Sequence, residues 1–91
     1  MNTIRNFELT SINEQIPFCN MIYALAEELT MKNRRCIDWH RRGIDCVTIE
    51  FESTGDEYRD LALLTNMLRL SKNAEAHTCA VTNLGTIENL V

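Results

Sequence analysis

Residues 36–52 read Cys36-Ile37-Asp38-Trp39-His40-Arg41-Arg42-Gly43-Ile44-Asp45-Cys46-Val47-Thr48-Ile49-Glu50-Phe51-Glu52, and their reading decides the fold. Two runs that alternate apolar and polar residues, Cys36 to His40 and Ile44 to Glu52, flank a basic loop with a glycine, which is the mark of a β-hairpin. Val47, Ile49 and Phe51 make one face of the second run, and Ile37 and Trp39 one face of the first. A two-residue loop at Arg42 and Gly43 would set Trp39 opposite Cys46 and split these apolar sets between faces. A three-residue loop, Arg41-Arg42-Gly43, sets Ile37 opposite Val47 and unites them. Gly43 then takes the left-handed bulge position, so the spacing predicts a positive φ there.

Outward from the hairpin, each flank carries a helix and then a strand. Upstream, Phe18, Met21, Ile22, Leu25 and Leu29 fall on one face of a 3.6-residue repeat. Pro17 suits the first helical position, and Asn33, Arg34 and Arg35 suit the C-terminal end. Before that helix, Thr3 to Ile12 reads as a strand, with Phe7 and Leu9 on one side and Asn6, Glu8 and Thr10 on the other. Downstream, Thr54-x-x-Glu57 is a capping box, with Ser53-x-x-Asp56 overlapping it. Tyr58, Leu61, Leu64 and Leu68 form the inward face of the helix that follows, which ends at Lys72 and Asn73. His77 to Thr82 reads as a last strand with Cys79 and Val81 inward. Asn83-Leu84-Gly85 reads as a turn, and Thr86 to Val91 as a short extra strand or a frayed tail.

The order is therefore β-α-β-β-α-β, a single α+β domain over residues 1–91 with two helices on one face of an antiparallel sheet. That is the order of the ferredoxin-like split βαβ sandwich, with the first strand and the Val47 strand central. A three-stranded meander under two helices is the alternative.

Composition sets the limits on function. Of the 91 residues, 45% are hydrophobic and 24% charged, ordinary values for a globular chain. Met1 to Gln15 has no apolar core of a signal peptide, and the stretch from Met21 to Leu29 is broken by Glu27 and Glu28. The expectation is a cytoplasmic chain with no membrane partner, in which Cys19, Cys36, Cys46 and Cys79 are free thiols. The net charge is −4, with Lys32, Arg34, Arg35, Arg41 and Arg42 gathered ahead of an acidic run from Asp45 to Asp60.

No motif carries a chemistry by itself. Cys36, His40 and Cys46, with Asp38, fall on the face away from the apolar set, but C-x₃-H-x₅-C is not a zinc spacing. Cys79 beside His77, or Cys36 near His40, lacks a recognisable orienting group or oxyanion donor. The glycines at 43, 55 and 85 stand apart, so no phosphate loop exists. The expectation is a protein that is not an enzyme and takes no cofactor and no metal. The open sheet face would carry Asn6, Glu8, Thr10, Cys46, Thr48 and Glu50, with no aromatic to stack a base.

Two surfaces remain. Leu63, Met67 and Leu70, at i, i+4 and i+7, form a second apolar stripe on the second helix. It is either covered within the chain or an interface for a homodimer or another protein. The basic set Arg34, Arg35, Arg41 and Arg42 is the alternative, a small regulatory nucleic-acid surface that the overall charge opposes.

The segment Ile4-Arg5-Asn6-Phe7-Glu8-Leu9-Thr10, then Gln15-Ile16-Pro17-Phe18, Asn20 and Tyr23-Ala24-Leu25-Ala26-Glu27, resembles a family of small early proteins of temperate enterobacterial phages. The likeness covers about the first 30 residues. It implies a phage or prophage accessory protein in the bacterial cytoplasm and carries over no activity or site residue. By analogy with small acidic proteins of that setting, the expectation is one that binds and modulates or inhibits a host or phage protein, host defence components among them.

Overall fold

The computed structural model describes residues 3–12, 19–72 and 79–88. Its elements are β1 (Thr3–Ser11), α1 (Cys19–Lys32), β2 (Cys36–Gly43), β3 (Cys46–Glu52), α2 (Glu57–Arg69) and β4 (Cys79–Glu88). Pro17, Phe18, Asn73 and His77 lie outside the described residues. The strands form one antiparallel sheet in the order β2-β3-β1-β4, with β1 and β3 central as predicted.

Alternation buries one face of this sheet. Phe7 and Leu9 of β1 and Val47, Ile49 and Phe51 of β3 are fully buried, and they join Ile22, Leu25, Ala26 and Leu29 of α1 and Leu64 and Leu68 of α2 in one core. Phe7 and Phe51 meet edge to face, with ring centroids 5.6 Å apart. Asn33 closes α1: its backbone N–H and its side-chain amide both donate to the Leu29 carbonyl, at 3.0 and 3.2 Å.

The hairpin register differs from the one predicted. Gly43 pairs with Cys46 across a two-residue turn, Ile44-Asp45. Register then shifts at Arg42 and again at Ile37, so Trp39 faces Ile49 and Cys36 faces Phe51. Each bulge sets two residues of β2 against one of β3. This brings Cys36, not Ile37, into the core; Cys36 is 2% exposed and Ile37 48%. Positive φ occurs at Gly55 and Gly85, not at Gly43.

β4 also departs from expectation. Asn83-Leu84-Gly85 is not a turn ending the strand but a bulge inside it, with Asn6 paired to Gly85 and Phe7 to Asn83. Asn83 Oδ1 accepts from the Gly85 N–H at 2.9 Å, so the local turn chemistry is real, yet pairing with β1 resumes beyond it. Gly85 has φ +100°, whereas a Cβ at Gly43 would meet only Cys46 Cβ at 3.9 Å and Asp45 Oδ1 at 4.0 Å. Gly85→Ala is therefore expected to cost about 1–3 kcal/mol. Gly43→Ala should be neutral or stabilising by up to about 1 kcal/mol. Urea unfolding of the two variants checks this, and a costly Gly43→Ala would refute the register.

α2 is capped by Asp56, whose side chain accepts from the N–H groups of Tyr58 and Arg59. Thr54 and Ser53, the expected caps, instead serve Asp60. The Asp60 carboxylate is completely buried and accepts from Arg5 Nε at 2.8 Å, Thr54 N at 2.8 Å, Thr54 Oγ1 at 2.6 Å and Ser53 Oγ. The inward stripe of α2 is thus Asp60, Leu64 and Leu68. Tyr58 and Leu61, predicted inward, are 82% and 39% exposed.

Candidate functional site

The stripe Leu63, Met67 and Leu70 divides. Leu63 and Met67 are half-buried and pack against the core, while Leu70 is 77% exposed. Together they form one wall of a groove of about 330 Å³ between the helices, with Leu29, Lys32 and Asn33 of the α1 end as the other wall. That volume is at the lower end for a ligand site.

Glu28 holds the groove's end together. Its carboxylate accepts from Ser71 Oγ at 3.0 Å and from the Lys72 backbone N–H at 2.7 Å, and lies 3.5 Å from Lys32 Nζ. The residues that leave α2 are thereby tied to the outer side of α1. Met31, 78% exposed, lines a second hollow beyond Glu28, with Ala24 and Lys72. Apolar surface thus continues past the groove on both sides of a charged clamp. No local sequence signal could have paired Glu28 with residues 71 and 72, because the contact depends on how two distant helices dock.

The basic residues do not gather into one patch. Arg35, in the turn just ahead of β2, donates to the Glu52 carbonyl at 3.0 Å. Arg41 and Arg42 lie at the far end of that strand, roughly 20 Å away at strand rise. Arg41 sits over the Tyr23 ring on the helix side, 4.4 Å from its centroid. Arg42 turns to the opposite face, where its Nε donates to Thr48 Oγ1 at 3.0 Å. Arg34 is exposed beside Arg35. Tyr23 also stacks on Trp39, with centroids 5.8 Å apart, and donates its hydroxyl to the Gly43 carbonyl at 2.6 Å.

Asn6, Glu8, Thr10, Cys46, Thr48 and Glu50 lie on the sheet face away from the core, as predicted. Of the set Cys36, His40, Cys46 and Asp38, the structure removes Cys36 to the core, where its Sγ lies 3.8 Å from Met67 Sδ. In its place the register brings Glu50, directly opposite Asp38, to His40, with Nε2 and Oε2 2.5 Å apart.

Cys36, Cys46 and Cys79 are free thiols. Burial pushes Cys36 and Cys79 up to about 11 and also raises Cys46, so none is tuned towards the thiolate that nucleophilic chemistry needs. Among the described residues no helix is long and apolar enough to cross a membrane. Comparison with protein-family models, with curated proteins and with solved structures finds no match to this chain.

Proposed function

We propose that this chain is a small non-enzymatic accessory protein of the phage or prophage kind, which binds and inhibits a host or phage protein in the bacterial cytoplasm. The groove between α1 and α2 is the surface it uses. The observation that carries the reading is Leu70, a large apolar side chain left 77% exposed at the lip of a groove whose wall is already apolar. The phage setting rests on the resemblance of the first 30 or so residues, and a host defence component is one class of partner that fits it. Element order and the strand order β2-β3-β1-β4 support reading the fold as the ferredoxin-like split βαβ sandwich.

The rival reading, nucleic-acid binding through Arg34, Arg35, Arg41 and Arg42, has less behind it. Arg35, Arg41 and Arg42 each have a partner within the chain and face different ways. Salt separates the two: phosphate contacts weaken steeply between low and physiological salt, and apolar burial does not.

The test is a pull-down of tagged full chain from enterobacterial lysate with Leu70→Glu alongside. At so exposed a position the change should leave circular dichroism intact and stability within about 0.5 kcal/mol. The expected result is a folded variant that loses a protein captured by the parent, or that becomes monomeric where the parent is a dimer. A folded variant with unchanged mass and unchanged partners defeats the groove reading.

A further inference from the structure

We propose that Asp38, His40 and Glu50 form a binding site for a divalent transition-metal ion on the sheet face that the helices leave uncovered. The site is independent of the groove, which lies on the other side of the sheet.

The placement follows from the bulged register. Asp38 and His40 are two residues apart on β2 and project from the same face. Glu50 stands opposite Asp38 on β3, diagonal to His40. One imidazole nitrogen and two carboxylate oxygens converge within 4.8 Å of one another. His40 Nε2 lies 2.5 Å from Glu50 Oε2 and 3.8 Å from Asp38 Oδ2. An ion bonded at about 2.0–2.2 Å to each donor fits this triangle after small side-chain rotations.

The carboxylate of Asp38 is already oriented. Its Oδ1 accepts from the Trp39 backbone N–H at 2.8 Å, and its Oδ2 is the oxygen near His40. A hydrogen bond that fixes one oxygen and frees the other is how supporting groups aim a metal ligand. Two strands of a hydrogen-bonded sheet fix the backbone spacing of all three donors. The charge around them also suits a cation. Glu8 shares this face across from Thr48, and the Arg42 guanidinium on it is engaged with Thr48.

The donor set selects the class of ion. An imidazole with two carboxylates suits zinc, nickel or copper, whereas magnesium and calcium take oxygen alone. The side chains of Asp38 and His40 are 60% and 44% exposed, so coordination positions stay open to water.

Calorimetric titration of the full chain with zinc chloride and with nickel chloride, thiols kept reduced, tests the site. Saturable binding at one ion per chain is expected, weakened at least about tenfold in His40→Ala and in Glu50→Gln. Cys46→Ser should bind as the parent does, since Cys46 is the nearest thiol on that face. Circular dichroism of each variant should be unchanged, because the changes are at the surface. The parent titration is decisive even where a variant fails to fold. No saturable heat from the parent overturns the proposal. Undiminished binding in His40→Ala, loss in Cys46→Ser, or a stronger response to magnesium or calcium overturns it equally.

Discussion

Asp60→Ala should destabilise the protein by about 3–5 kcal/mol, because it strands the Arg5 guanidinium in the core without its partner. A domain of this size has on the order of 5–10 kcal/mol of stability in total, so the variant would be close to unfolding at 37 °C. Denaturant titration measures the loss. The double change Arg5→Met with Asp60→Leu removes both charges and should recover most of it, since apolar replacement of a buried pair is often neutral or better. A loss below about 1 kcal/mol in Asp60→Ala would mean that the pair is solvated. The same carboxylate sets an acid limit. Burial alone would raise its pKa, but hydrogen bonds from Arg5, Ser53 and Thr54 outweigh that and hold it at about 2, against 3.8 for an unperturbed aspartate. A depressed folded-state pKa means stability present in full above about pH 5 and lost as pH falls from there through 2. The loss is roughly 2 kcal/mol from this one group, and it should vanish from the pH profile of Asp60→Asn.

Phe51→Ala is expected to cost about 3–5 kcal/mol, comparable to breaking the buried pair. Phe51 has no exposed surface, stands between Arg5 on β1 and Cys36 on β2, and meets the Phe7 ring in a T-shaped contact. Its removal leaves a cavity where the sheet's neighbours are hydrogen-bonded in register and cannot collapse inward. Phe51→Leu keeps most of the volume and should cost clearly less. Thermal unfolding of the two variants decides this. Equal and small effects would place the core elsewhere.

The parts of the fold legible in the sequence are those where apolar period and element agree. β1, α1 and β3 each carry a clean repeat of 2 or 3.6, and Phe7, Leu9, Ile22, Leu25, Leu29, Val47, Ile49 and Phe51 are buried as the pattern names, while Met21 is half-buried and Ala26 joins the core without being named by it. The misreadings have physical causes. On α2 the pattern names Leu64 and Leu68 correctly, but a carboxylate, Asp60, takes the place in the first turn that it gives to Tyr58 and Leu61. The clue lay on another element: Arg5 shares the parity of the buried Phe7 and Leu9 and needs an acidic partner. The alternation of β2 predicts a bulge at Gly43 and a regular ladder beyond it, but the bulges stand at Arg42 and Ile37 and change which residues meet. That is why Asp38 and His40 could be placed on one face from sequence, while Glu50 could not be placed beside them. Leu63, Met67 and Leu70 were legible as a stripe. That α1 would wall off two of them and leave Leu70 in the open depends on helix docking, which leaves no local mark.

The bulges carry one more consequence. β2 and β4 are the outer strands, and both are the ones interrupted, at Ile37 and Arg42 on one side and at Leu84 on the other. An outer strand offers unpaired backbone N–H and C=O groups as a template on which a further strand can grow. A bulge puts those groups out of phase with any regular incoming ladder and twists the edge. Among the described residues the sheet ends at four strands, with a bulge in each outer one and no closure into a barrel. Pairing of two copies of this chain, or of this chain with an extended peptide, along a long edge is thereby disfavoured. Growth into fibrils is disfavoured by the same device, which leaves side-chain surfaces as the better place to meet another molecule.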